Sequence, residues 1–333
     1  MTVANTPIGN PGGGKTTAAR RWSRKDLTFD KISFMLVFLV VPVAGYIIFV
    51  VSPFAQAAYY SLTDWSGFTP DMNFIGVSNY LKLFQDATFM KAVGNSSTLA
   101  VVLPLVTLIV ALIFATLVTI GGPSSGAIRG LRNSSFYRVI SFFPYVIPAI
   151  VIGIIWSQVY DPSAGLLNGI LTGLGLDNFT SFAWLGTLGI AMPAVMFVVV
   201  WGLIGFYMVL FIAAIKGIPA EIYEAARIDG AGRFRTAVTI TIPLIRDNIQ
   251  TAYIYMGILA LDAFVYMAAL ESGGGPANST LVMSQQLFTT AFTKGQFGYA
   301  CAMGVVLAVV TLLFAGLVFL VNKLTGGTND VAE

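Results

Sequence analysis

Residues 218–245 read IPAEIYEAARIDGAGRFRTAVTITIPLI. Pro219 suits the first position of a helix, where its missing N–H costs nothing. Glu221 and Glu224 fall in the early turns, where a carboxylate favours the helix dipole. Ile218, Ile222, Ala225 and Ala226 are expected to form one apolar side with a notch of small residues. Gly230 suits the left-handed conformation that ends a helix and turns the chain. A second amphipathic segment follows, and Pro243 marks the entry to an apolar run. The stretch predicts a compact helix–turn–helix, charged on one side. Two uses fit that shape: a knob seated in a partner's groove, or a helix lying in a lipid headgroup layer, held by Arg233 and Arg235.

Apolar runs lie on both sides of this elbow, near 187–215 and 250–270, and four others lie near 33–55, 98–120, 139–160 and 299–322. Crossing a hydrocarbon core of roughly 30 Å takes about 20 helical residues, which each run supplies. The run at 187–215 is overlong and predicts tilt or extension past the bilayer. Hydrophobic residues make up 56% of the 333-residue chain and charged residues 10%, and the mean hydropathy is +0.82. A soluble chain carries about 25% charged residues, so a water-covered globule is excluded. The short alternating segments of a closed barrel are absent from the sequence, and helices remain as the spanning element. The predicted class is an all-α polytopic membrane protein with six transmembrane helices.

Charge placement predicts orientation. Fifteen of the eighteen lysines and arginines fall on one side of this scheme: in the N-terminal tail, at Arg129, Arg132 and Arg138, within 216–246, and at Lys323. Only Lys82, Lys91 and Lys294 fall on the other. By the positive-inside rule both termini are expected to be cytoplasmic. The outer connections are then about 56–97, 161–186 and 271–298, and the longest inner one is the elbow. Residues 1–31 read as a polar cytoplasmic tail without a cleaved signal peptide, 32–97 as the first span plus an external segment, 98–322 as a transmembrane core carrying the loop 216–245, and 323–333 as a second tail.

Within the first tail, GNPGGGKT at 9–16 fits the phosphate-loop pattern letter for letter. That pattern binds phosphate only where a buried strand feeds the loop and a helix leaves it. Only MTVANTPI precedes it here, so a low-complexity cationic tail is the expected reading. One cysteine, Cys301, and no histidine exclude an internal disulfide and the usual zinc or haem ligand sets.

Beyond these physical readings, the elbow resembles a known signature. Glu224-Ala225-Ala226, three residues, Gly230, nine residues and then Ile240, Thr241, Ile242 and Pro243 are similar to the EAA motif of ABC importer permeases, with Ile242 where the family commonly has leucine. NFIGVSNYLKLFQDATFMKAVGNS (73–96), FYRVISFFPYVIPAIVIGIIWSQVYDPSAGLLN (136–168), SGGGPANST (272–280) and FGYACAM (297–303) resemble the carbohydrate branch, the maltose/glycerol-3-phosphate-type permeases, and the likeness covers about residues 30–322. It implies a MetI-like permease core in a bacterial-type cell membrane that forms half of a translocation pathway. It also implies a second permease subunit, an ABC ATPase dimer and an external sugar-binding protein as partners, with membrane lipid around them and a carbohydrate as cargo; nucleic acid is not an expected partner. The chain is then a transporter subunit and not an enzyme. ATP and Mg2+ belong to the partner ATPase, and this chain is expected to bind no cofactor or metal. Carried residue by residue, Glu224, Ala225, Ala226, Asp229 and Gly230 are the implied coupling residues, and Pro243 closes the motif.

Asp262, in GILALDAFVYM, is an ionisable group at membrane depth, which is expensive and ordinarily faces a cavity or a partner. Sugar hydroxyls and an inter-subunit polar contact are both compatible with it. Trp156, Trp184 and Trp201 suit either sugar stacking or interfacial anchoring. Ala300, Gly304 and Ala308 form a small-residue stripe suited to helix packing, and Pro144 and Pro148 predict a kink. Two other function classes compete: an ion- or proton-coupled secondary transporter with Asp262 as its site, and a non-transporting scaffold that recruits a partner through the elbow. Matching interrupted helices in the two halves, which the former would show, are not found in the sequence.

Overall fold

The computed structural model describes residues 29–120 and 133–324. The tail with its GNPGGGKT match, the segment 121–132 and the C-terminal tail lie outside the described residues. The chain divides into two compact units, Met1–Gln56 and Ala57–Glu333.

The apolar runs are helical. The first is α1 (Ser33–Tyr60), and three more helices are long and apolar enough to cross a membrane unbroken: Ala87–Ile120, Ala191–Lys216 and Phe297–Leu324. The remaining two spans are bent pairs, Ser134–Val146 with Ala149–Val159 at 96° and Arg246–Leu261 with Phe264–Leu270 at 48°. Counting each pair once gives the expected six among the described residues. In chain order the helices of the second unit are α2 (Ser78–Gln85), α3 (Ala87–Ile120), α4 (Ser134–Val146), α5 (Ala149–Val159), α6 (Leu166–Gly173), α7 (Ala191–Lys216), α8 (Ala220–Ile228), α9 (Arg246–Leu261), α10 (Phe264–Leu270), α11 (Met283–Phe288) and α12 (Phe297–Leu324).

Prolines accompany most of the irregular turns; the π turn at Thr289–Thr293 has none after it. Pro148 forces Ile147 into the extended region (φ −78°, ψ 131°), which ends α4 and lets α5 leave at a right angle. Wide π turns occur at Leu36–Val40, Ile47–Val51 and Ala237–Thr241, each two residues ahead of a proline: Pro42, Pro53 and Pro243. A proline offers no N–H and crowds the preceding turn, and a π turn relieves both. By contrast, Pro104 sits within α3.

Two span boundaries differ from expectation. The second span was expected from 98, yet α3 starts at Ala87, because the Asp86 carboxylate accepts from the N–H groups of Thr88 (2.9 Å) and Phe89 (3.1 Å) and caps it. The overlong fourth run shortens, since residues 187–190 form turns ahead of α7.

Helices α3 and α7 form the most extensive pair, and α9 and α4 pack against them. Leu99, Leu103, Val195, Val198, Val199, Phe211 and Met256 fill the centre. A second cluster joins Leu83, Phe89, Met283, Ala302 and Met303. Lipid tails are as apolar as these side chains, so close approach and dispersion hold such helices together. Gly205 shows how close: a methyl group there would overlap the Ser141 carbonyl of α4.

Candidate functional site

The elbow between the fourth and fifth spans is built on a locked root. Tyr223 on α8 and Thr241 after the second arm are both buried, and their hydroxyls meet at 3.2 Å. Burial pushes the Tyr223 phenol up from its ordinary range, and the Thr241 bond acts in the opposite direction, so the group stays neutral and can donate or accept. Ala226, Thr236 and Ile245 are buried beside this tie. Tyr223 belongs to the main core, which connects the root directly to the packed spans.

The turn between the arms has a defined geometry. Gly230 takes φ +74°, its N–H donates to the Arg227 carbonyl (3.0 Å), and the Ala231 N–H donates to the Ala226 carbonyl (2.9 Å). That double bond pattern is a Schellman motif, with Gly230 at the left-handed position. The helix-stop reading of Gly230 agrees with this. Pro219 sits one place earlier than expected, capping α8 from outside with Ala220 as its first residue.

The expected single apolar side does not form. Ala226 turns inward, while Glu224, Ala225, Asp229 and Gly230 are exposed. Helical spacing explains the split: residues 221, 224, 225 and 228 share one stripe, and Tyr223 with Ala226 shares the other. The exposed stripe also carries Ile228, 87% exposed, and beyond the turn lies Phe234, 83% exposed. Pro243 is exposed as well. Tyr223, the main anchor of the root, was not singled out from the sequence, although its position three residues ahead of Ala226 could have indicated a shared face.

Asp262 lies at the break of the fifth span. It closes α9 with φ −106° and ψ 45°, and it is exposed although Leu261 and Ala263 on either side are buried. An acidic side chain at an interrupted helix leaves room for a ligand or partner on its open side. Residues 271–298, expected as an outer connection, join the fifth and sixth spans and are packed rather than open: Met283, Ser284, Gln285, Gln286 and Thr290 are buried. Helix α11 packs against α12 and α3, and the Met283 N–H donates to Ser96 Oγ at 3.0 Å. Among the described residues Gln285 Oε1 is buried without a hydrogen-bond partner, and buried Ser284 lies beside Asp262. The adjacent polar residues Ser284, Gln285 and Gln286 interrupt an apolar pattern and were the only sequence signal for this.

The tryptophans separate by surroundings. Trp156 contacts Trp201 (5.5 Å between ring centres), Phe197 and Tyr160, joining α5 to α7. Trp184 stacks on Phe179 and donates from Nε1 to Asn168 Oδ1 at 2.7 Å. Both rings pack against neighbouring aromatics and also line one cavity of about 430 Å3. On α12, Ala300 is buried and Gly304 faces Leu287 of α11, so two members of the small-residue stripe lie against packed neighbours. Among the described residues no group of three or more Asp, Glu, Cys or His side chains could hold a metal ion.

Two interrupted spans, a right-angle break and an anchored elbow define a polytopic helical membrane protein of permease architecture. Over residues 119–326 the chain matches the binding-protein-dependent transport system inner membrane component family, and it belongs to that family. It is 66% identical to the diacetylchitobiose uptake system permease protein NgcF of Streptomyces coelicolor, over 91% of this chain and 86% of that one. It is 37% identical to the probable ABC transporter permease protein YurN of Bacillus subtilis, over 82% of this chain and 90% of that one. Its fold matches a chain in the crystal structure of a bacterial alginate ABC transporter in complex with alginate pentasaccharide-bound periplasmic protein. The TM-score is 0.76 at 21% identity, covering 91% of this chain and 98% of that one.

Proposed function

We propose that this chain is the membrane permease subunit of an ATP-driven carbohydrate importer. In this reading it forms half of the pathway beside a second permease, receives sugar from an external binding protein, and is driven by a separate ATPase dimer that holds ATP and Mg2+. Both termini face the cytoplasm, as the distribution of lysine and arginine indicates. The observation that carries the reading is the division of the elbow, whose root is locked by Tyr223 and Thr241 while its tip leaves Glu224, Ala225 and Ile228 exposed. A rigid root with an exposed tip suits a lever. Glu224 supplies a charge-assisted bond to a basic partner group, and Ala225 permits close approach. ATP binds the closed ATPase dimer better than the open one, and that difference shifts the spans between states.

The 66% identical relative is named for diacetylchitobiose uptake, which supports a short oligosaccharide, of the N-acetylated amino-sugar kind, as cargo. Asp262, open at a broken span, is the group we assign to the pathway, where its carboxylate accepts from sugar hydroxyls. The test is reconstitution of Glu224→Lys in liposomes with both partner classes. Uptake and ATPase association are expected to fall at least about tenfold, the loss of roughly one charge-assisted bond. Capture of sugar by the external protein is expected to stay unchanged. Normal uptake by this variant would overturn the lever.

A further inference from the structure

A cavity of about 310 Å3 lies between the root of the elbow and the start of α4, a size at the lower end of small-molecule sites. Its polar lining comes from four elements: Thr119 on α3, Ser134 and Arg138 on α4, Lys216 at the end of α7 and Tyr223 on α8. Among the described residues no acid lines it and no ion pair engages Arg138 or Lys216.

The donors are only partly used. Arg138 Nη2 donates to Ser134 Oγ at 3.0 Å, while its Nε is buried with no acceptor. A cationic donor withdrawn from water without an acceptor is costly. Ser134 accepts from Arg138, which leaves the hydroxyl's own proton to donate. Lys216 adds a second positive charge, partly balanced by the carbonyls that end α7. The first residues of α4 and α8, Ser134 and Ala220, also border the space, so two helix N-termini reinforce the positive field.

A guanidinium edge, an ammonium and a hydroxyl proton lining one cavity, with no carboxylate among the described residues, match a group with several anionic oxygens. We propose that this cavity is a phosphate-binding site at the joint between the elbow and the spans. Two sources carry that chemistry: the phosphodiester of an anionic phospholipid, and free phosphate. Either would bridge α4, α7 and α8 and stiffen the root of the elbow.

The experiment uses the full chain in detergent, with calorimetry against short-chain phosphatidylglycerol, short-chain phosphatidylcholine and inorganic phosphate. At least one anionic probe is expected to bind, and Arg138→Gln is expected to weaken it about tenfold, the equivalent of one charge-assisted bond. Ser134→Ala and Lys216→Gln are expected to weaken it less, and they carry the test if Arg138→Gln fails to fold. Lys82→Gln, at the opposite end of the molecule, is expected to bind as the unaltered chain does. Phosphatidylglycerol binding that phosphate does not displace identifies the lipid, and displacement identifies the free ion. The proposal is overturned if neither anionic probe binds, if phosphatidylcholine binds as tightly as phosphatidylglycerol, or if the three cavity variants bind no more weakly than Lys82→Gln.

Discussion

The elbow at 217–245 and the connection at 271–296 join successive spans, and both carry glycine, proline and polar side chains. They are built in opposite ways. The connection after α10 is held by its own chain: Lys91 Nζ donates to the Ala277 carbonyl (2.6 Å), Asn95 Nδ2 to the carbonyls of Asn278 and Leu281, and Gln285 Nε2 to those of Glu271 (2.8 Å) and Ser272 (3.1 Å). These bonds hold Ala277 at φ 50° and Asn278 at φ 58°, a conformation that alanine adopts only under constraint. Burial pushes the Glu271 carboxyl up, and the Gly275 N–H acts against that shift. The elbow is tied at its root, where Thr241 Oγ1 meets the Tyr223 hydroxyl and reaches the Thr236 carbonyl, and its tip is exposed. A connection that its own chain supports belongs to the scaffold, whereas one left open at its tip has its contacts supplied from outside.

The strongest way to break this contrast is Gly230→Pro. Proline is fixed near φ −65° and lacks the N–H, whereas Gly230 needs φ +74° and donates to Arg227. ATP-driven uptake in liposomes is expected to be abolished, while the unfolding temperature of the spans moves by a few degrees at most. A collapse of the whole protein would show that the elbow is scaffold after all.

Gln285→Ala sharpens the other half. It removes two buried donors and leaves two carbonyls unsatisfied, at a cost of about 2 kcal/mol. A lower midpoint in denaturant titration is the expected outcome. Ile228→Ala at the exposed tip is expected to stay within about 0.5 kcal/mol of the unaltered chain. Equal losses at the two sites would erase the distinction.

The smallest effect concerns the segment after α1. Asp64 accepts from the Asn73 N–H (2.7 Å) and side-chain amide (3.0 Å), and the backbone bond from Asn73, then its amide, hold the carboxyl below its ordinary 3.8. A carboxylate with a lowered folded value contributes fully above the ordinary value and loses that contribution as pH falls through the lower one. Hydrogen exchange at Asn73 is therefore expected to accelerate in acid and to be flat near neutrality. Asp64→Asn should remove the pH dependence.

Much of this molecule was legible because lipid imposes simple rules. Backbone groups in hydrocarbon must bond within their own segment, so long apolar runs read directly as helices, and the break predicted at Pro144 and Pro148 appears at Pro148. The Gly230 helix stop was equally plain, since few residues tolerate a positive φ. The misses concern neighbours distant in sequence. The start of α3 was hidden because Lys91, Asn95 and Ser96 look like surface, yet Asn95 and Ser96 bond partners more than 180 residues away. The packing of α11 within its connection was hidden because its polar side chains give no sign that α3 and α12 lie against it.

Sequence alone determined the membrane class, the six apolar runs and the position of the elbow, because each depends on local composition and on backbone chemistry within a few turns. Tertiary structure decided which faces are used: Ala226 inward and Ala225 outward, Asp262 open at a helix break, and Arg138 with Lys216 at one cavity. Those outcomes depend on which helices meet and how closely, and no single segment carries that information.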